Sequence, residues 1–256
     1  MPALPQHVVT LHRDGSGPPL VLLHCLGVDH QFWNFASGLT SDFTLIGYDF
    51  PGHGTTPVPK ERYGIADLSA QLNGLLLRHR TGNVHLAGIS LGGLVAQHFA
   101  ANYPEFVDKL ILIDTTPRYT DDMRLMWAKR AATARKEGVA ALVDDLLKIW
   151  FSSKFLEQNG PAVRYVRKRL QSTSGEGYAL ACEALGAADL RADAEKIAAP
   201  TLVICGDDDI PSFLDAAHWL NEHIRGARLE WLRGARHASV LEQPEQTVKL
   251  LRNFLR

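Results

Sequence analysis

One serine lies between two glycines in Gly88-Ile89-Ser90-Leu91-Gly92. Gly-x-Ser-x-Gly is the pattern of a sharp strand-to-helix turn. The serine takes a strained backbone conformation at the tip, and bulky residues two positions either side would collide with strand or helix. A serine hydroxyl is a weak nucleophile until a base takes its proton and a third group orients that base. The chain has 11 histidines, so residue type alone selects none. Position selects His237, in Arg233-Gly-Ala-Arg-His-Ala, and Asp209, in Gly206-Asp-Asp-Asp-Ile-Pro. Both follow short apolar runs, in the order Ser, Asp, His expected when acid and base come from loops after later strands. Asp207, Asp208 and Asp209 are adjacent. The third residue after the loop glycine suits the reach to a histidine, which favours Asp209, with Asp208 its nearest rival.

Acyl transfer also needs donors for a developing oxyanion. The backbone N–H of Leu91, at the start of the helix, is one candidate. Leu26, in His24-Cys25-Leu26-Gly27, is the other. Cys25 reads as a buried thiol, because no base is positioned for it. His24 and His53 lie in tight turns and read as residues that hold loops by hydrogen bonds.

The elements that must carry these residues follow from hydrophobic periodicity. Val84-His85-Leu86-Ala87 reads as a buried strand and Leu91 to Asn102 as a helix, ended by Tyr103-Pro104. Before them come candidate strands at His7–His12, Leu20–Leu23 and Thr44–Tyr48, with helices at Gln31–Leu39 and Ile65–His79. Leu110–Ile113 is a further buried strand. Near-continuous apolar strands separated by helices indicate a parallel sheet covered on both faces. From Thr116 to Leu190 only helices are expected: Asp121–Glu137, Val139–Trp150, Pro161–Gln171 and Gly175–Leu185. Alternation resumes with a strand at Thr201–Cys205, a helix at Phe213–His223, a strand at Arg228–Leu232 and a helix from Gln243. The expectation is an α/β core of residues 1–115 and 191–256 with a helical lid, 116–190, over the carboxyl edge of the sheet, where ligands bind in such folds.

The bulk numbers exclude several functions. The chain has 256 residues, 46% hydrophobic and 21% charged, which is globular rather than disordered. A net charge of −1 gives no broad attraction to nucleic acid or to an anionic membrane. The basic run Arg164–Arg169 reads as the solvated face of a helix. Three scattered cysteines, Cys25, Cys182 and Cys205, form no metal-ligand spacing and no disulfide framework. Buried thiols and the absence of a basic-then-apolar leader point to the cytoplasm. No apolar run is long enough to span a membrane. The expected partner is a small molecule, with no cofactor and no metal; a homo-oligomer stays open.

The chain resembles the α/β-hydrolases along its whole length. The matching pieces are LLHCLG at 22–27, YDFPGHG at 48–54, LAGISLGG at 86–93, TLVICGDDD at 201–209 and RHASVLEQPE at 236–245. The lid stretches 118–155 and 177–191 resemble the 3-oxoadipate enol-lactonases. That resemblance implies a mostly parallel twisted sheet flanked by helices, and a reaction that opens an enol-lactone ring through an acyl-enzyme. In that family a Trp-x-x-Arg pair in the lid lines the substrate pocket, matched here by Trp127 and Arg130. Positions i and i+3 share a helix face, and a guanidinium can grip a substrate carboxylate through paired hydrogen bonds. The chain departs from the family at Phe50-Pro51 after Asp49, at Cys25, and in a shorter acid loop. A carboxylesterase, a lactonase for another ring, a C–C bond hydrolase and a non-catalytic receptor remain as alternatives on the sequence alone.

Overall fold

The computed structural model describes Leu4 and residues 10–256. Seven strands form one sheet: β1 (His12–Gly15), β2 (Pro19–Leu23), β3 (Thr44–Gly47), β4 (Val84–Ile89), β5 (Val107–Ile113), β6 (Thr201–Gly206) and β7 (Arg228–Leu232). Their order is β1-β3-β2-β4-β5-β6-β7. β1 runs antiparallel on β3, and every other pairing is parallel. β2, β4 and β6 bury almost every residue, as strands covered on both faces must.

The helices are α1 (Ile65–Arg78), α2 (Leu91–Asn102), α3 (Asp121–Glu137), α4 (Val143–Trp150), α5 (Ser153–Gln158), α6 (Pro161–Ser172), α7 (Gly175–Ala187), α8 (Arg191–Ala194), α9 (Pro211–His223), α10 (Ser239–Glu242) and α11 (Pro244–Leu255). α1 and α2 pack together, with α2 lying against β2, β4 and β5, while α9 covers β6 and β7. All of α3 to α7 lies between β5 and β6. The chain leaves and re-enters the sheet through one narrow crossing, where Arg118 bridges Asp189 and Leu190 N donates to Pro117 O at 2.8 Å. α3 packs along α7 within this insert. No helix among the described residues is long and apolar enough to cross a membrane.

Several expected bounds move. The strand expected at His7–His12 falls partly on residues 7–9, which lie outside the described residues; the described strand is His12–Gly15. It ends three residues beyond the expected end because it pairs with Thr44–Gly47 and reverses at Gly15, φ +93°. The segment at Gln31–Leu39 is a 3₁₀ helix over His30–Leu39, capped by Asp29, whose carboxylate accepts from Gln31 N at 3.1 Å. Val139–Trp150 divides into a 3₁₀ turn, Val139–Leu142, followed by α4.

The sheet order reverses between β2 and β4. β3 lies beyond β2 on one side, and β5 to β7 extend from β4 on the other. The loops leaving the carboxyl ends of β2 and β4 diverge there and open a crevice. Closure at that point is tight. A Cβ on Gly92 would stand 2.3 Å from the Leu23 carbonyl oxygen and 2.8 Å from that of His24. Gly92→Ala should therefore cost about 3 kcal/mol of stability, an overpacking clash with backbone that cannot rotate away. Gly82→Ala meets nothing within 4 Å and strains only its backbone at φ +73°, about 1 kcal/mol. Urea denaturation of the two variants beside wild type checks the difference.

Candidate active site

Ser90 is where β4 turns into α2. Its backbone sits at φ 53°, ψ −113°, a conformation that costs a non-glycine residue about 1–3 kcal/mol. The surroundings hold it there. Ser90 N donates to Ile113 O at 3.0 Å. Its own carbonyl accepts from Leu94 N at 3.1 Å and from Thr115 Oγ1 at 2.9 Å. Only glycine fits at 88 and 93, where an added Cβ would stand 2.2 Å from Gly92 O and 2.5 Å from the Thr115 side chain.

The Ser90 hydroxyl lies 3.1 Å from His237 Nε2, and His237 Nδ1 lies 2.8 Å from Asp209 Oδ2. A carboxylate only accepts, so Nδ1–H donates to Asp209. That leaves Nε2 with a lone pair facing the serine O–H. Asp209 is fixed in turn, its Oδ1 accepting from Ile210 N at 2.7 Å. The geometry separates the three adjacent carboxylates. Asp207 turns back to Gly234 N at 2.6 Å and to Arg233, and Asp208 is exposed. Asp209 is buried and reaches the imidazole.

Leu91 is the first residue of α2, so its N–H has no partner within the helix. Leu26, in the loop after β2, shares the wall of one cavity with Ser90 and His237. Cys25 is buried, and that burial pushes the pKa of its thiol well up, away from a reactive thiolate. His24 holds its turn as expected: Nδ1–H donates to Cys25 O at 2.7 Å, and Nε2 accepts from Phe50 N at 3.0 Å. His53 Nδ1–H donates to Pro51 O at 3.0 Å, and burial lowers its pKa to about 3.

The cavity above Ser90 measures about 100 Å³, room for several waters or one small molecule. The insert supplies most of its wall: Met123, Met126, Trp127 and Arg130 from α3, with Leu146, Ile149 and Trp150 from α4. The Arg130 guanidinium carbon lies 5.0 Å from the centre of the Trp127 ring, a cation–π contact, and the group also reaches the Tyr178 hydroxyl. Among the described residues no carboxylate pairs with Arg130. Trp127 and Arg130 thus share a face of α3 and line the serine's cavity.

Sequence reasoning missed Asp114. It directly follows β5, buried, with φ +42°. Its Oδ1 accepts from Gly206 N at 2.9 Å, and its Oδ2 accepts from Ser239 Oγ at 2.6 Å and Ser239 N at 3.2 Å. One carboxyl group therefore ties the strand that carries Asp209 to the loop that carries His237. Burial, reinforced by the nearby Asp209 charge, raises its pKa. The available signal was a polar residue directly after the buried run Leu110–Ile113, beside the serine strand.

Burial works to lower the His237 pKa, but Asp209 by charge and hydrogen bond, with help from Asp114, outweighs it, and the net shift is upward. A protonated imidazole cannot take the serine proton, so activity rises as pH passes through that pKa. Removing a nearby negative charge lowers it. Asp114→Asn should therefore move the acid limb of the kcat/KM profile to lower pH. An unmoved limb would show that Asp114 carries no charge over that range.

The comparisons with known proteins agree with this fold. A family described as the alpha/beta hydrolase fold matches residues 18–244. The 3-oxoadipate enol-lactonase 2 of Acinetobacter baylyi is 32% identical over 229 residues, covering 89% of this chain and 85% of its own length. The pimeloyl-(acyl-carrier protein) methyl ester esterase of Chromobacterium violaceum is 32% identical over 252 residues, covering 94% and 95%. Among solved structures, the enol-lactonase from Burkholderia xenovorans superimposes with a TM-score of 0.92 at 32% identity, covering 96% of each chain. With its parallel sheet and the strained Ser90 turn, the chain belongs to the alpha/beta hydrolase fold family, as a hydrolase.

Proposed function

We propose that this protein is a cofactor-free serine hydrolase whose substrate is a small enol-lactone bearing a carboxylate, of the 3-oxoadipate enol-lactone type. The observation that carries the reading is the coincidence of two features in one cavity: the hydrogen-bonded Ser90–His237–Asp209 chain, and Arg130 facing the same space without an acidic partner. An unpaired cation beside an apolar wall suits an anionic ligand. The cavity's size suits a compact ring better than a long acyl chain. The enol-lactonase relatives of A. baylyi and B. xenovorans support the same class.

In this mechanism His237 takes the Ser90 proton and the serine oxygen attacks the ring carbonyl. The N–H groups of Leu26 and Leu91 hold the oxyanion. The ring C–O bond breaks, leaving an acyl-enzyme whose freed enol remains attached to the acyl chain and becomes a ketone. Water activated by His237 then releases the keto diacid, while Asp209 stabilises the imidazolium. Trp127 and Arg130 hold the substrate carboxylate. A carboxylesterase would use the same residues, and the C. violaceum esterase relative keeps that second reading in view.

The test follows the loss of ultraviolet absorbance from 3-oxoadipate enol-lactone. Wild type should consume it, and Ser90→Ala should lose roughly 10³-fold or more in kcat. Arg130→Ala should raise KM for the lactone acid about 10- to 100-fold, the worth of a charged hydrogen-bonded contact, and leave neutral esters nearly unchanged. Ester hydrolysis by wild type without lactone turnover would select the carboxylesterase.

A further inference from the structure

The loop that carries His237 is bonded to the insert on both sides of the histidine. Ala238 N donates to Trp150 O at 2.8 Å, and Arg236 Nη1 donates to Lys148 O at 2.7 Å. Both acceptors belong to the last turn of α4. Glu242 completes the connection. Its carboxylate accepts from Arg236 N at 2.8 Å, from Ser152 N at 3.1 and 3.2 Å, and from the Ser152 hydroxyl. One acid thus clamps the residue before His237 to the residue two positions after Trp150. The other side of the site is held separately. Asp29 pairs with Arg169 of α6 and accepts from Tyr165 Oη at 2.6 Å, while Thr173 Oγ1 donates to Gly27 O at 2.9 Å.

From this we infer that Glu242 is a positioning residue: it fastens the His237 loop to the end of α4, so that a substrate packed against Leu146, Ile149 and Trp150 sets the Ser90–His237 hydrogen bond. The physical route is short. The three side chains that line the cavity belong to the same two turns of helix whose carbonyls hold Arg236 and Ala238. A helix moves as a unit, so pressing on its cavity face shifts its last turn, and the loop bonded to that turn follows. The serine–imidazole separation of 3.1 Å leaves room to shorten, and proton transfer is steeply sensitive to such distances. The insert therefore acts as part of the frame that aligns the base. The inference rests on the serine-hydrolase reading, but not on the lactone.

The test compares kcat for two neutral esters, p-nitrophenyl acetate, whose acyl group is too short to press on α4, and p-nitrophenyl butyrate, which fills that wall. In wild type the butyrate-to-acetate ratio of kcat should exceed one. Glu242→Ala should bring the ratio down to about one, with KM for each ester little changed. Glu242→Gln, which keeps one acceptor oxygen, should restore part of it. Ser152→Ala removes a single hydroxyl and covers the case in which Glu242→Ala does not fold; it should lower the ratio in the same direction. Equal loss on both esters, an unchanged ratio, or a wild type that turns over both at the same kcat would each overturn the inference. Failure of wild type to hydrolyse either ester faster than Ser90→Ala is a different result: it would remove the serine-hydrolase reading itself.

Discussion

The site depends on how closely α2 passes the end of β2. The Gly92 backbone lies so near the Leu23 and His24 carbonyls that a single methyl group has no room. That approach forces the Ser90 turn, because a chain leaving β4 can enter α2 at this separation only by reversing within one residue. It also brings the loop after β2 alongside the first N–H of α2. Leu26 and Ser90 thus line one cavity, with Leu91 opening α2 directly after the serine. The strain at Ser90 is held by hydrogen bonds on both sides, from Ser90 N to Ile113 and from Thr115 to Ser90 O. Neighbouring strands hold in place what local preference would relax.

A second constraint is charge. Asp114, Asp209 and His237 are all buried, and buried charges are expensive unless paired and hydrogen-bonded. Here Asp209 has His237 and Ile210 N, and Asp114 has Ser239 and Gly206 N. Two carboxyl groups so near each other do not ionise independently. Burial, with the Asp209 carboxylate nearby, raises the Asp114 pKa. The hydrogen bonds to Ser239 and Gly206 make that carboxyl group structural as well, since they join the acid strand to the base loop.

Legibility in the sequence follows the range of the interaction. The Ser90 turn is local, because both glycines and both flanking elements lie within a few residues, so the pattern shows it directly. Asp209 and His237 needed one further assumption, that the loops after successive parallel strands emerge at one edge; the structure places both there. Asp114 and Glu242 were invisible for the same reason in reverse. Nothing local distinguishes a carboxylate that bonds a serine 125 positions away, or one that bonds a residue 90 positions away. The shifted start of β1 belongs with them, because its register is decided by pairing with Thr44–Gly47 rather than by its own residues.

Two different demands fall on the insert, an apolar cover for the cavity and a polar group in its wall. A cover needs only apolar residues at helical spacing, which α4 has at Leu146, Leu147 and Trp150. The proposed anion-binding wall needs in addition a polar group at the cavity face. Arg130 meets that need because its planar guanidinium spreads its charge over the Trp127 face and also reaches the Tyr178 hydroxyl. Burial keeps that phenol protonated, so it offers the guanidinium a neutral contact rather than a counter-ion. A lysine, more strongly hydrated and unable to stack in the same way, would pay a larger desolvation cost at this position. The cation is therefore held well enough to be stable without a carboxylate, yet keeps donors that one could engage, while the same helical insert reaches the base loop through the far end of α4.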